Sequence, residues 1–164
     1  MYFSLTPPRH ADHDHAMASL NASGFLRIEQ YGGGTLNLVG QPGRVLILHF
    51  FDPRSPNAME QAHAARYTAS VAGDPSVAVL FVANAPAWDG LPEWAETVGV
   101  PLANLYLDKD GKTSHLLGVR RWPETLVYAA DGTLAYQARG SAGWSSPAFL
   151  SEVDRARAGV EEMP

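Results

Sequence analysis

Not one of the 164 residues is cysteine. That absence excludes a disulfide, a thiolate nucleophile, a cysteine metal ligand and a dithiol redox couple. It leaves the compartment open, since a cysteine-free chain suits any redox environment. An excess of basic residues is missing too: 12 Lys and Arg stand against 17 Asp and Glu, for a net charge of -5. A nucleic-acid backbone needs a basic face, so that class of partner is set aside. Long apolar runs are also lacking. The longest, residues 77–83, falls far short of the roughly 18 residues a membrane helix requires. Nor does a basic stretch followed by an apolar one open the chain, so no secretory signal is visible.

What is present is material for a core. Hydrophobic residues make up 46% of the chain and aromatics 10%, too much for a disordered segment. This length suits one domain, which can bury roughly 70% of the surface its unfolded form exposes. Residues 1–23 read as a flexible tail, and residues 24–160 as the domain. The tail carries His10, His13 and His15 with Asp12 and Asp14 between them. Imidazole nitrogens at this spacing are candidate ligands for a divalent metal, although a selective site needs a further ligand. A solvated segment explains the same residues.

Along the domain, residues 25–28 and 35–39 read as short strands separated by Gly32, Gly33 and Gly34. Residues 44–51 are apolar on both faces, as a strand covered by helices on both sides should be. Ser55 and Pro56 then open a helix, with serine as the cap and proline at the first helical position, where its missing N–H costs nothing. Ala58, Ala62, Ala65, Ala69 and Ala72 give that helix a thin apolar stripe, and Gly73 ends it. Residues 77–83 form a second buried strand. Residues 93–98 form a short helix between Pro92 and Gly99, and residues 105–107 a short extended piece. Residues 124–129 and 133–139 flank Asp131-Gly132 and read as a hairpin. Ser146 and Pro147 open a last helix with Phe149, Leu150, Val153 and Ala156 on its apolar face, closed by Gly159. Strand, helix, strand implies parallel pairing with a right-handed crossover, to which the hairpin adds antiparallel strands. The class is therefore α/β, a central mixed sheet with helices on both faces.

Three pieces of this chain, in this order, resemble one family. Residues 43–51 are similar to a central strand that leads into an active-site helix. Gly118-Val119-Arg120-Arg121-Trp122-Pro123-Glu124-Thr125-Leu126-Val127-Tyr128 is similar to a segment centred on a cis-proline. Ala130-Asp131-Gly132-Thr133-Leu134 followed by Gly140 is similar to the hairpin and its exit. Together, over about residues 25–158, they resemble the thioredoxin-like superfamily, in particular its TlpA/ResA-like thiol-disulfide oxidoreductase branch. The resemblance implies a thioredoxin-like fold, a cis Trp122–Pro123 bond, and a Trp122 backbone open to an extended peptide from a partner. An extracytoplasmic, periplasmic setting is implied by the resemblance alone.

The chain departs from that family where its chemistry sits. The alignment puts Ser55-Pro56-Asn57-Ala58 in place of the Cys-x-x-Cys motif. Thiol exchange needs one thiolate to attack and a second to release the mixed disulfide. A serine hydroxyl is far weaker without an activating base, and alanine can do neither. Arg54 replaces the tryptophan that commonly precedes the motif, and His49 stands where the family often keeps a buried acid. This drift around the motif favours natural loss over engineered replacement.

Other chemistries fit less well. Ser55 with His49 or His63 lacks a nucleophile elbow and an orienting acid, and helix capping explains Ser55. A peroxidase needs a peroxidatic cysteine, and His115 alone cannot replace the ligands of a copper chaperone. Arg120 and Arg121 could meet an acidic partner or stand as solvated charges. Trp88, Trp94 and Trp144 are core by default, with Trp122 beside the groove. No catalytic residue and no cofactor are implied. The expected activity is binding of an unidentified protein or extended peptide in a groove formed by Ser55, Pro56, Asn57, Ala58, Trp122 and Pro123. Two alternatives remain: a thiol-disulfide interchange protein whose cysteines are replaced in this chain, and a metal-binding protein using the tail histidines.

Overall fold

A computed structural model describes residues 17–20, 26–39, 43–54, 58–140, 144 and 146–161, with backbone alone at 58, 59, 160 and 161. Seven strands make one sheet in the order β2-β1-β5-β4-β3-β6-β7. They are β1 (Arg27–Gln30), β2 (Thr35–Asn37), β3 (Val45–Phe51), β4 (Val77–Ala83), β5 (Leu105–Leu107), β6 (Glu124–Tyr128) and β7 (Leu134–Arg139). The helices are α1 (Ala58–Ser70), α2 (Leu91–Val98), α3 (Lys112–Leu117) and α4 (Pro147–Glu161). β3, β4 and β5 run parallel, while β6 pairs antiparallel with β3, and β1 with β5.

Every residue of β3 is buried, because layers cover both faces of the sheet. Val45, Ile47 and Phe51 point into one cluster, with Ala64 and Ala65 of α1, Leu91 and Ala95 of α2, and Phe149 and Val153 of α4. Leu46, Leu48 and Phe50 point into the other, with Leu117 of α3, Leu26 and Leu38. The period of two along one strand thus divides the core into two halves.

Several elements differ from the expectation in instructive ways. On α1 the buried face is Glu60, Gln61, Ala64, Ala65 and Thr68, whereas Ala62 is half-exposed and Ala69 and Ala72 are exposed. The alanine stripe is displaced because two polar residues occupy core-facing positions. α2 begins two residues early, at Leu91, and stops where Gly99 turns left-handed (φ 95°) and donates its N–H to the Ala95 carbonyl. α3 is a further helix, in a stretch whose sequence carries no helix signal. Its first turn is held by Asp108, whose carboxylate accepts the Thr113 and Ser114 N–H groups at 3.3 and 2.7 Å. The hairpin turn is wider than a two-residue loop. The Ala129 N–H bonds the Thr133 carbonyl, the Gly132 N–H bonds the Ala129 carbonyl, and Gly132 turns left-handed (φ 89°). α4 continues through Gly159 to Glu161. Its cap is as expected, with Ser146 Oγ accepting the Phe149 N–H at 3.2 Å.

Residues 17–20 lie within the segment expected to be a tail, yet they are tied to the domain. The Met17 N–H donates to the Leu117 carbonyl, Leu20 N–H donates to Gly132, and Leu134 N–H donates to Ala18. The Tyr128 hydroxyl reaches the Met17 carbonyl at 2.7 Å, and Leu20 is buried in the second cluster. The signal was a single leucine, too little to read as a packed strap.

Candidate functional site

The carboxyl end of β3, the start of α1 and the entry to β6 meet at one end of the sheet. The β3–β6 ladder ends with Phe50 opposite Glu124. The Trp122–Pro123 peptide bond is cis, and the Pro123 carbonyl accepts the Gly140 N–H at 2.8 Å. Pro123 is buried and Trp122 half-buried. Among the described residues Trp122 makes no backbone hydrogen bond, and its buried Nε1 has no partner. Ser55, Pro56 and Asn57 lie outside the described residues, and Ala58 is described only as the first residue of α1.

Behind this end lies a polar cluster enclosed by aromatics. His49 is fully buried in β3. Its Nε2 lies 2.9 Å from Gln61 Oε1 on α1, and its Nδ1 lies 2.9 Å from Thr125 Oγ1 on β6. One neutral tautomer satisfies both: Nε2–H donates to Gln61, and the Thr125 hydroxyl donates to Nδ1. Burial lowers the His49 pKa to about 4, against a smaller upward pull from the Gln61 bond. Phe81 and Trp144 stand edge-on to the ring, each with a centroid separation of 5.4 Å. With both nitrogens committed, this histidine is a structural bridge between helix and sheet and not an available base for Ser55. His63 is half-buried on α1 and His115 exposed on α3.

Two carboxylates complete the neighbourhood. Asp52 accepts the Arg54 N–H and both Nε and Nη2 of its guanidinium at 2.9–3.0 Å, which holds its carboxyl below the ordinary range. Glu124, next to Pro123, is buried. Its Oε2 accepts from Gln137 at 2.7 Å and lies 3.5 Å from Arg139 Nε, while Oε1 has no hydrogen-bond partner among the described residues. Desolvation pushes its pKa up, and Gln137 and Arg139 oppose this. On the far wall Phe51 stacks on Trp94 at 4.2 Å. Trp144 is a core residue, as expected, whereas Trp88, Trp94 and Trp122 keep partial exposure.

The structure therefore brings Trp122 and Pro123 together at the end of β3. Gln61, Thr125 and Glu124 join this end of the sheet without any motif that marks them in the sequence. The one available signal was a histidine in an otherwise apolar strand, which must find polar partners somewhere. Among the described residues no three His, Asp or Glu side chains gather as a metal site, and His10, His13 and His15 lie outside them. No helix of the described residues is long and apolar enough to cross a membrane.

No family model and no curated protein sequence matches the chain. Solved structures do. A protein assigned as the thiol:disulfide interchange protein DsbE of Chlorobium tepidum superposes with a TM-score of 0.70 at 16% identity, covering 88% of this chain and 98% of its own. A thiol-disulfide oxidoreductase from Bacteroides fragilis gives 0.68 at 12% identity, over 80% and 96%. A secreted Mycobacterium tuberculosis disulfide oxidoreductase gives 0.60 at 16%, over 92% and 99%. The fold of this chain is thioredoxin-like, and it carries no cysteine.

Proposed function

We propose that this thioredoxin-fold chain is redox-inactive and binds an extended segment of another protein in the groove beside Trp122 and Pro123. Ser55, Pro56, Asn57 and Ala58 would form the opposite wall. The observation that carries the reading is the unpaired backbone of Trp122, next to a buried proline at the end of the sheet. Backbone N–H and C=O groups left unpaired at the start of a strand can pair with an added extended segment, and neighbouring pockets then supply selectivity. The absence of cysteine supports the negative half of the proposal, because neither the attacking nor the resolving sulfur of thiol exchange is available. A setting outside the cytoplasmic membrane belongs to the same reading, since one structural relative is described as secreted.

The test is peptide selection on the intact protein, followed by calorimetry and amide exchange on the peptides recovered. Binding at the groove protects the Trp122 amide and weakens at least tenfold in Trp122→Ala and Asn57→Ala. Peptides that bind both variants as tightly as the parent would end the proposal. Insulin reduction by the parent chain is expected to be blank. Turnover above background would overturn redox inactivity.

A further inference from the structure

A second site lies at the other end of the sheet. A cleft of about 540 Å³ opens beneath the amino ends of β3 and β4, between the end of α1 and the segment leading into β5. Its volume falls within the range of small-molecule sites. Ala78, Leu80 and the ring of Tyr106 line it on one face of the sheet, and Arg44 and Asn104 bring polar groups to it.

Arg44 is the unusual member. It immediately precedes β3, where its stem is half-buried and its Nε is shut off from solvent without a hydrogen-bond acceptor. Among the described residues the whole guanidinium has neither a hydrogen bond nor an ion pair. With no acceptor for it among the described residues, the guanidinium is left to an acceptor from outside, which the cleft that Arg44 lines can admit. The other charge nearby is already spent. Asp74 accepts Ser76 N–H and Oγ–H and is bonded to Arg157, so it neither pairs with Arg44 nor stands as a free anion against a ligand. Tyr106 is half-buried and close enough to feel the Arg44 charge, which favours its ionised form although burial raises its pKa overall. The Asn104 amide is anchored through Nδ2 to the Val79 carbonyl.

We propose that this cleft binds a small monocarboxylate with an apolar body. The carboxylate would lie on the Arg44 fork, and the body against Ala78, Leu80 and the Tyr106 ring. Planar, two-pronged donation suits a carboxylate, and the apolar lining disfavours a bare inorganic anion. The site is remote from the Trp122 groove, so the two proposals stand or fall separately.

Titration of the intact protein with butanoate, hexanoate and benzoate, followed by amide chemical shifts, tests it. Saturable shifts are expected at residues 44, 71–79 and 104–106, with hexanoate or benzoate tighter than butanoate. Hexanamide and benzamide, which lack the charge, should produce none. Arg44→Met keeps the apolar stem, and should weaken binding at least tenfold without lowering the ligand-free melting temperature. Should that variant give no folded spectrum, Arg44→Lys replaces it, with a weaker but measurable loss because the fork is gone. Equal shifts from acid and amide, unchanged affinity in the folded variant, shifts from inorganic phosphate of the same size, or no saturable shift at all would each overturn the assignment.

Discussion

Nε2 of His49 lies 2.9 Å from Oε1 of Gln61, with both side chains out of water. This bond ties the central strand to α1, and Thr125 ties the same ring to β6. The imidazole is neutral in the folded chain, and its hydrogen bonds replace those it would make to water. Among the described residues a charged ring here would have no carboxylate paired with it: Gln61 and Thr125 are its polar contacts, with Phe51, Phe81 and Trp144 around it. The cluster is legible as a stabilising device, and it sets the pH behaviour of the molecule.

His49 titrates at about 4 when folded, against 6.5 for the free side chain. Between those values the unfolded chain binds more protons than the folded one, so stability is complete above pH 6.5 and declines as the pH falls towards 4. The expected loss between pH 7 and pH 5 is about 2 kcal/mol. Asp52, Asp74 and Asp131, whose pKa values are depressed, add their own losses only near and below pH 4. Urea midpoints at pH 7, 6 and 5 measure the effect. His49→Gln should be less stable at pH 7 and should flatten the slope. A parent chain equally stable at pH 7 and 5 would contradict a buried neutral ring.

Glu124 behaves in the opposite sense. Its folded pKa is raised, chiefly by desolvation, so the stability linked to this group is greatest at low pH and is lost as pH rises through the folded value. Glu124→Gln keeps the shape and an acceptor for Gln137 while removing the buried charge. Its stability at pH 7 should match or exceed that of the parent by up to about 1 kcal/mol, with the difference vanishing near pH 4. A loss of more than about 1 kcal/mol at pH 7 would show that the pair with partly exposed Arg139 outweighs desolvation.

Asp108 holds α3 through two backbone N–H groups, those of Thr113 and Ser114. Asp108→Ala should cost about 1–2 kcal/mol in urea unfolding and speed amide exchange at both residues. Asp108→Asn keeps one acceptor and should cost less. An alanine variant with unchanged exchange at Thr113 and Ser114 would remove the capping role.

The fold was legible where apolar patterning is strong. β3 and β4 are continuous apolar runs, and their covered faces follow from that alone. The hairpin was legible from Asp131-Gly132, and the cap of α4 from Ser146. α3 was not, because Lys112–Leu117 is only six residues long and its cap comes from Asp108, before Gly111. The buried face of α1 was misplaced because Glu60 and Gln61 sit where periodicity asks for apolar residues. At the site, Trp122 and Pro123 were found through their place in a motif. Gln61 and Thr125 are assembled only by folding, since they lie 12 and 76 residues from the ring they bond.

The alignment of Ser55 and Ala58 with a lost dithiol can be tested by restoring it. A thiol just ahead of α1 would meet the positive end of the helix, which lowers thiol pKa and favours the reactive thiolate. A partner three positions on, at the first residue of the helix, would resolve the mixed disulfide. Ser55→Cys combined with Ala58→Cys should therefore form an intramolecular disulfide that dithiothreitol reduces, and should gain insulin reduction from a blank background. Either single substitution should give mixed disulfides with small thiols but no turnover. Mass spectrometry of the oxidised double variant together with the insulin assay decides the matter. A double variant that stays a dithiol under mild oxidation would place these two positions outside the geometry that the alignment assigns to them.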